Sequence, residues 1–110
     1  VTEAHGATYQ FDYRYGYGSV MNDESVTKLV EETILEHWEQ NSLIEQPPLM
    51  GGEDFSAFSN EVPSCFVMIG AGNAEKGITY PHHHPRFTVD EDSFKDGVKL
   101  FVHSVRKILG

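Results

Sequence analysis

The chain has 110 residues, with 8 Lys or Arg against 17 Asp or Glu and a formal net charge of −9. That balance leaves no basic footprint for a nucleic acid or an anionic membrane surface. The 39% apolar share supports a folded core, in one modest domain or a piece of a larger one.

A single cysteine, Cys65, excludes an internal disulfide and a paired-thiolate metal motif, and suits a reducing, cytoplasmic setting. No apolar run approaches the ~20 residues of a membrane span. Val1-Thr2-Glu3-Ala4-His5 has no signal-peptide character. Val1 in place of an initiating methionine points to processing or to a piece of a longer protein.

Residues 8–17 alternate, with Tyr9, Phe11, Tyr13, Tyr15 and Tyr17 to one side and Thr8, Gln10, Asp12, Arg14 and Gly16 to the other. Period two with aromatics predicts a strand whose one face packs on a helix. Gly18 to Met21 reads as a connector. Asn22 or Asp23 then caps a helix predicted over about 23–40, whose apolar face carries Val26, Leu29, Val30, Thr33, Ile34, His37 and Trp38. His37 lies on that stripe, so it is expected as a core or border residue. Leu43-Ile44-Glu45 is a possible short strand before Pro47-Pro48.

Gly51-Gly52-Glu53-Asp54 admits close backbone approach or positive φ, with Asp54 placed to cap a short helix bearing Phe55 and Phe58. Cys65-Phe66-Val67-Met68-Ile69 is apolar on both faces, the pattern of a buried strand in a parallel sheet. Cys65 is then a small core residue and not a nucleophile. In such sheets the loops after strand carboxyl ends line the ligand crevice.

The loop that follows is Tyr80-Pro81-His82-His83-His84-Pro85-Arg86-Phe87. Its prolines fix φ and exclude helix, so it is a stiff mount for imidazole, a ligand of zinc, nickel, copper and iron. Adjacent imidazoles do not readily share one tetrahedral site, so further ligands must come from elsewhere. Finally, Asp90-Glu91-Asp92-Ser93 opens a helix whose apolar face runs through Phe94, Val98, Phe101, Val102, Val105, Ile108 and Leu109. His103 falls outside that stripe and is expected to be exposed.

The order of Met50-Gly51-Gly52-Glu53-Asp54-Phe55, Val62-Pro63-Ser64-Cys65-Phe66, Gly70-Ala71-Gly72-Asn73, the histidine loop and Asp90-Glu91 resembles one family. It is that of the dinuclear metal amidohydrolases, which includes hippurate hydrolase, aminoacylase and the plant auxin–amino-acid conjugate hydrolases, with the hippurate hydrolase branch the nearest in motif. The resemblance runs over essentially the whole chain, which corresponds to the last third or so of a member.

The resemblance implies an α/β fold, with residues 1–18 the end of a ferredoxin-like lid and dimerisation domain. Residues 19–110 would then be the C-terminal part of a zinc-peptidase-like catalytic domain. It implies His83 as a metal ligand, with His84 the less favoured choice, and Gly51, Gly52, Glu53 and Asp54 bordering the substrate. It implies two divalent ions (zinc, manganese, cobalt or nickel) in the parent, an N-acyl-amino acid or small peptide as substrate, and a homo-oligomer. The family's other ligands and its glutamate base have no counterpart motif here. The chain alone is therefore expected to hold at most one ion weakly and to be inactive, with no catalytic residue of its own. The alternative from another class is a small non-catalytic α/β domain binding a metal or a protein.

Overall fold

The computed structural model describes residues 1–110, and its regular structure is helical. Helix α1 spans Glu24–His37, α2 Ser56–Ser59 and α3 Ser93–Leu109, with 3-10 turns at Glu3–His5 and Gln40–Ser42. Helix α1 starts where its chemistry demands. The Asp23 carboxylate accepts the Val26 N–H at 3.0 Å, and the Ser25 hydroxyl and that amide hold its pKa below the usual carboxylate value. The helix ends at His37, three residues short of the expected bound, and Trp38 donates its N–H to the Ile34 carbonyl from an extended conformation.

Helices α1 and α3 pack on each other, and polar groups stitch the joint together. The Trp38 indole N–H donates to Asp96 at 2.8 Å. Lys99 donates to the His37 carbonyl at 2.8 Å and lies 4.2 Å from the Trp38 ring centroid. Lys107 reaches Glu36 at 2.6 Å and Glu32 at 3.3 Å. His37 and His103 stack with ring centroids 3.6 Å apart. His37 is exposed and His103 half-buried, the reverse of the exposed His103 that the stripe predicts. The outward face of a helix is decided by what lies beside it, and here His103 finds the end of α1.

Neither 8–17 nor 65–69 forms a ladder, and Leu43-Ile44-Glu45 forms no strand; the one backbone bridge joins Asn73 and Ile78. A strand is completed by its neighbour, and none of these segments has one. The period of residues 8–17 survives in the side chains, since Phe11 lies 6.1 Å from Tyr13 and Tyr13 4.9 Å from Tyr15 between ring centroids. Segment 65–69 is held by the start of α1. Asn22 accepts the Phe66 N–H at 2.8 Å and donates to the Phe66 carbonyl at 3.1 Å, while the Asp23 N–H reaches the Ser64 carbonyl at 2.8 Å. The Asn22 side-chain amide thus takes the place a neighbouring strand would fill. Cys65 is half-buried and receives the Thr27 hydroxyl at 3.6 Å. Phe66, Val67, Met68 and Ile69 are all exposed, so the interior strand expected here is not interior within these residues.

Only Thr33 and Ser56 are fully buried, and no apolar side chain is. The radius of gyration is 19.7 Å, against about 13 Å for a compact domain of this length. The accessible surface is 9743 Å², roughly 3,600 Å² more than a folded monomer of this mass exposes. The large apolar side chains left exposed include the aromatics of 8–17, Phe66 to Ile69 and, on α3, Phe94, Val98, Phe101, Val105 and Ile108.

Candidate functional site

The histidine loop is two tight turns in succession. The His84 N–H donates to the Pro81 carbonyl at 3.2 Å, and the Phe87 N–H to the His84 carbonyl at 2.9 Å. His83, the third residue of the first turn, sits at φ 67°, the one non-glycine residue in the left-handed region. That conformation costs a side chain about 1–2 kcal/mol, and histidine tolerates it better than most residues.

The three imidazoles have different surroundings. The His82 ring meets Phe87 edge-on at 4.8 Å, and His84 stacks on Tyr80 at 4.1 Å. Nδ1 of His84 accepts the Arg86 N–H at 3.1 Å, which puts the neutral ring's proton on Nε2. His83 is exposed and makes no hydrogen bond, so both of its nitrogens face outward without a partner in the chain. Arg86 donates through Nη1 to the Tyr80 hydroxyl at 3.3 Å, closing the loop on itself.

The base of this loop is tied by a polar clip. Asn73 and Ile78 exchange backbone hydrogen bonds of 2.8 Å each, and the Asp90 N–H donates to the Ala71 carbonyl at 2.8 Å. Asn73 Nδ2 reaches Asp90 at 2.6 Å, and Lys76 Nζ lies 2.7 Å from Asp90 and 2.9 Å from Asp92. Lys76 and then Lys95 bring the Asp92 carboxyl down to about 2, and the two aspartates raise the Lys76 pKa. In the sequence Asp90 to Asp92 are legible as caps and favourable charge for a helix start and, at Asp90-Glu91, as part of the motif order. Their pairing with Lys76, 14 and 16 residues away, leaves no local periodic signal.

The glycine loop stands apart. Gly51 and Gly52 are exposed, neither takes positive φ, and a Cβ at either would meet no atom within 4 Å. Whatever close approach they permit is not to a group within these 110 residues. No side chain caps α2; the Glu53 carboxylate accepts the Phe55 N–H at 3.2 Å and its carbonyl the Ser56 hydroxyl at 3.2 Å, just ahead of the helix. The Asp54 side chain makes no cap; its carbonyl accepts the Ala57 N–H at 2.9 Å. The loop is anchored through Phe55, whose ring lies 5.3 Å from Phe66. No hydrogen bond or ion pair joins residues 51–54 to the histidine loop.

Nowhere do three His, Cys, Asp or Glu side chains converge to hold an ion. His83 has the free lone pairs of one ligand, but one imidazole does not make a site, so a complete metal centre does not fit these residues alone. No helix is long and apolar enough to cross a membrane.

The chain belongs to peptidase family M20/M25/M40, whose pattern matches residues 4–107. Among curated relatives it is 36% identical over 99 residues to the Synechocystis sp. protein described as probable hydrolase sll0100, covering 89% of this chain and 25% of the relative. It is 33% identical over 94 residues to thermostable carboxypeptidase 1 of Saccharolobus solfataricus, covering 84% and 23%. It is 31% identical over 101 residues to N-acetylcysteine deacetylase of Bacillus subtilis, covering 92% and 25%. The chain thus spans about a quarter of the length of the relatives it matches. No solved structure matches it.

Proposed function

We propose that these residues are the C-terminal quarter of an amidohydrolase that cleaves the amide bond joining an acyl group to an amino acid, with hippurate-like compounds as the substrate class. The observation that carries this reading is His83, held at positive φ in a stiff, proline-flanked turn with both nitrogens unengaged, while Nδ1 of His84 takes the Arg86 N–H and the His82 ring packs edge-on against Phe87. The N-acetylcysteine deacetylase among the relatives carries an acyl–amino acid amide in its name, which supports the substrate class.

Two divalent ions (zinc, manganese, cobalt or nickel), when bound in the whole protein, supply a polarised carbonyl and an activated water. The part of these residues is narrower. His83 offers one neutral nitrogen, the clip of Asn73, Lys76, Asp90 and Asp92 holds the base of its loop, and Gly51 to Asp54 border the substrate through backbone that glycine leaves open. In this reading residues 1–18 end the lid of an α/β protein and 19–110 belong to its catalytic domain, the assembly being a cytoplasmic homo-oligomer without nucleic-acid or membrane partners. The chain by itself is inactive, because the other ligands and the general base lie outside it.

Hydrolysis of hippurate and N-acetyl amino acids, measured with zinc, manganese or cobalt for this chain and for the full-length protein, tests the reading. Turnover is expected only in the full-length protein, together with weak metal binding by the chain that His83→Ala abolishes. Metal-dependent turnover by the 110 residues alone would overturn it.

A further inference from the structure

Resting on that reading, we infer that Lys76 is a positioning residue of the site, whose charge fixes both ends of the histidine loop and so the placement of His83. Residues 79–89 leave the Asn73–Ile78 bridge and return to Asp90, whose N–H donates to the Ala71 carbonyl at 2.8 Å. Side chains join the two ends as well. Lys76 Nζ, from the turn before the loop, lies 2.7 Å from Asp90 Oδ1 and 2.9 Å from Asp92 Oδ2 beyond it. Asn73 Nδ2 lies 2.6 Å from Asp90 Oδ2, and Asn73 Oδ1 accepts the Lys76 N–H at 3.2 Å. The Asp90 carbonyl in turn accepts the Ser93 N–H at 3.0 Å and the Ser93 hydroxyl at 2.7 Å, which sets the loop against the start of α3.

One other lysine, Lys107, holds two carboxylates, and both of those belong to α1. Lys76 is the one whose pairs span the histidine loop. A single exposed ion pair contributes little, and Lys76 itself is about half exposed. The Asp90 side chain, however, is only 14% exposed, and one ammonium serves both it and Asp92. Without that cation two carboxylates are left close together at the loop's exit, in a chain of net charge −9. Their repulsion acts on the closure of the loop that carries His83 at φ 67°. A reacting group displaced by about 1 Å costs about 100-fold in rate. Charge at position 76 therefore reaches the chemistry through the loop, with no contact to the substrate.

The test is made in the full-length protein, by amide hydrogen exchange without substrate and by turnover of an N-acyl amino acid. Lys76→Glu, which sets a third carboxylate beside the two, is expected to speed exchange of the His84 and Phe87 amides by about tenfold while the amides of α1 keep their wild-type rates. Its kcat should fall about tenfold or more at a KM within about twofold of wild type, the split expected when a group is misplaced and no substrate contact is lost. The double variant Lys76→Glu/Asp92→Lys restores one cation and two carboxylates at the same three positions and should recover both readings. Lys76→Arg should show neither change. Lys76→Met removes only the charge and serves if Lys76→Glu does not fold; it should speed exchange in the loop by about two- to fivefold. Wild-type exchange in the loop, an unchanged kcat in Lys76→Glu, or a folded double variant that stays impaired would each overturn the inference. A wild-type protein that hydrolyses no N-acyl amino acid would instead overturn the substrate reading, while the exchange comparison, made without substrate, would still decide for or against Lys76.

Discussion

Asn22 shows how much one side chain carries when a strand lacks its neighbour. Its amide makes both hydrogen bonds that Phe66 would otherwise give to an adjoining strand. Asn22→Ala leaves both backbone groups of Phe66 to water. The Phe66 amide, whose bond contributes about 1 kcal/mol, should exchange with solvent about fivefold faster. Asn22→Asp keeps the acceptor and should protect the Phe66 amide nearly as the wild type does, while losing the bond to the carbonyl. Hydrogen exchange read at Phe66 in the three proteins decides it, and equal rates in all three would show that the segment is held by something else.

The joint between α1 and α3 has a pH dependence whose sign follows from one group. Partial burial, then His37, Lys99 and Arg106, lower the His103 pKa below that of a free imidazole. A histidine whose folded pKa is depressed adds stability that is fully present above the unfolded pKa, about 6.5, and is lost as pH falls through the folded value. The facing groups do not reverse this, because Asp96 is engaged by Trp38 and Glu36 by Lys107. Acidification from pH 7.5 to 5 should therefore open the joint. Trp38, the chain's only tryptophan, has its ring centroid 6.5 Å from His103 and reports the change by fluorescence. His103→Gln should flatten the profile between pH 7 and 5, and an unaltered profile in that variant would place the transition elsewhere.

At the scale of the molecule the dominant fact is the surface left uncovered. An excess of roughly 3,600 Å² is larger than the ~800 Å² that each partner buries in a standard protein–protein interface. It is of the size by which a domain core is cut open. The isolated chain is predicted to self-associate through the aromatic segment 8–17 and the outer face of α3, seen as concentration-dependent mass in light scattering. Supplying the rest of the protein in trans should suppress that association; a monodisperse monomer at all concentrations would count against the prediction.

Some of this was decided locally and is legible in the sequence. Asp23 caps α1 because a carboxylate can reach an amide three residues on, and the 3.6-residue period of α3 exists whatever it packs against. The stiffness of the histidine loop follows likewise from two prolines, and the motif order carries the family. Other features needed partners distant in the chain. The Lys76 clip, the His37–His103 stack and the Phe66 tie of Asn22 span 14 to 66 residues, distances over which no periodicity speaks. The segments 8–17 and 65–69 show the same division from the other side. Their alternation and their apolar run state which faces want cover, but a strand becomes a strand only when a second backbone lies beside it, and that is decided by the tertiary structure alone.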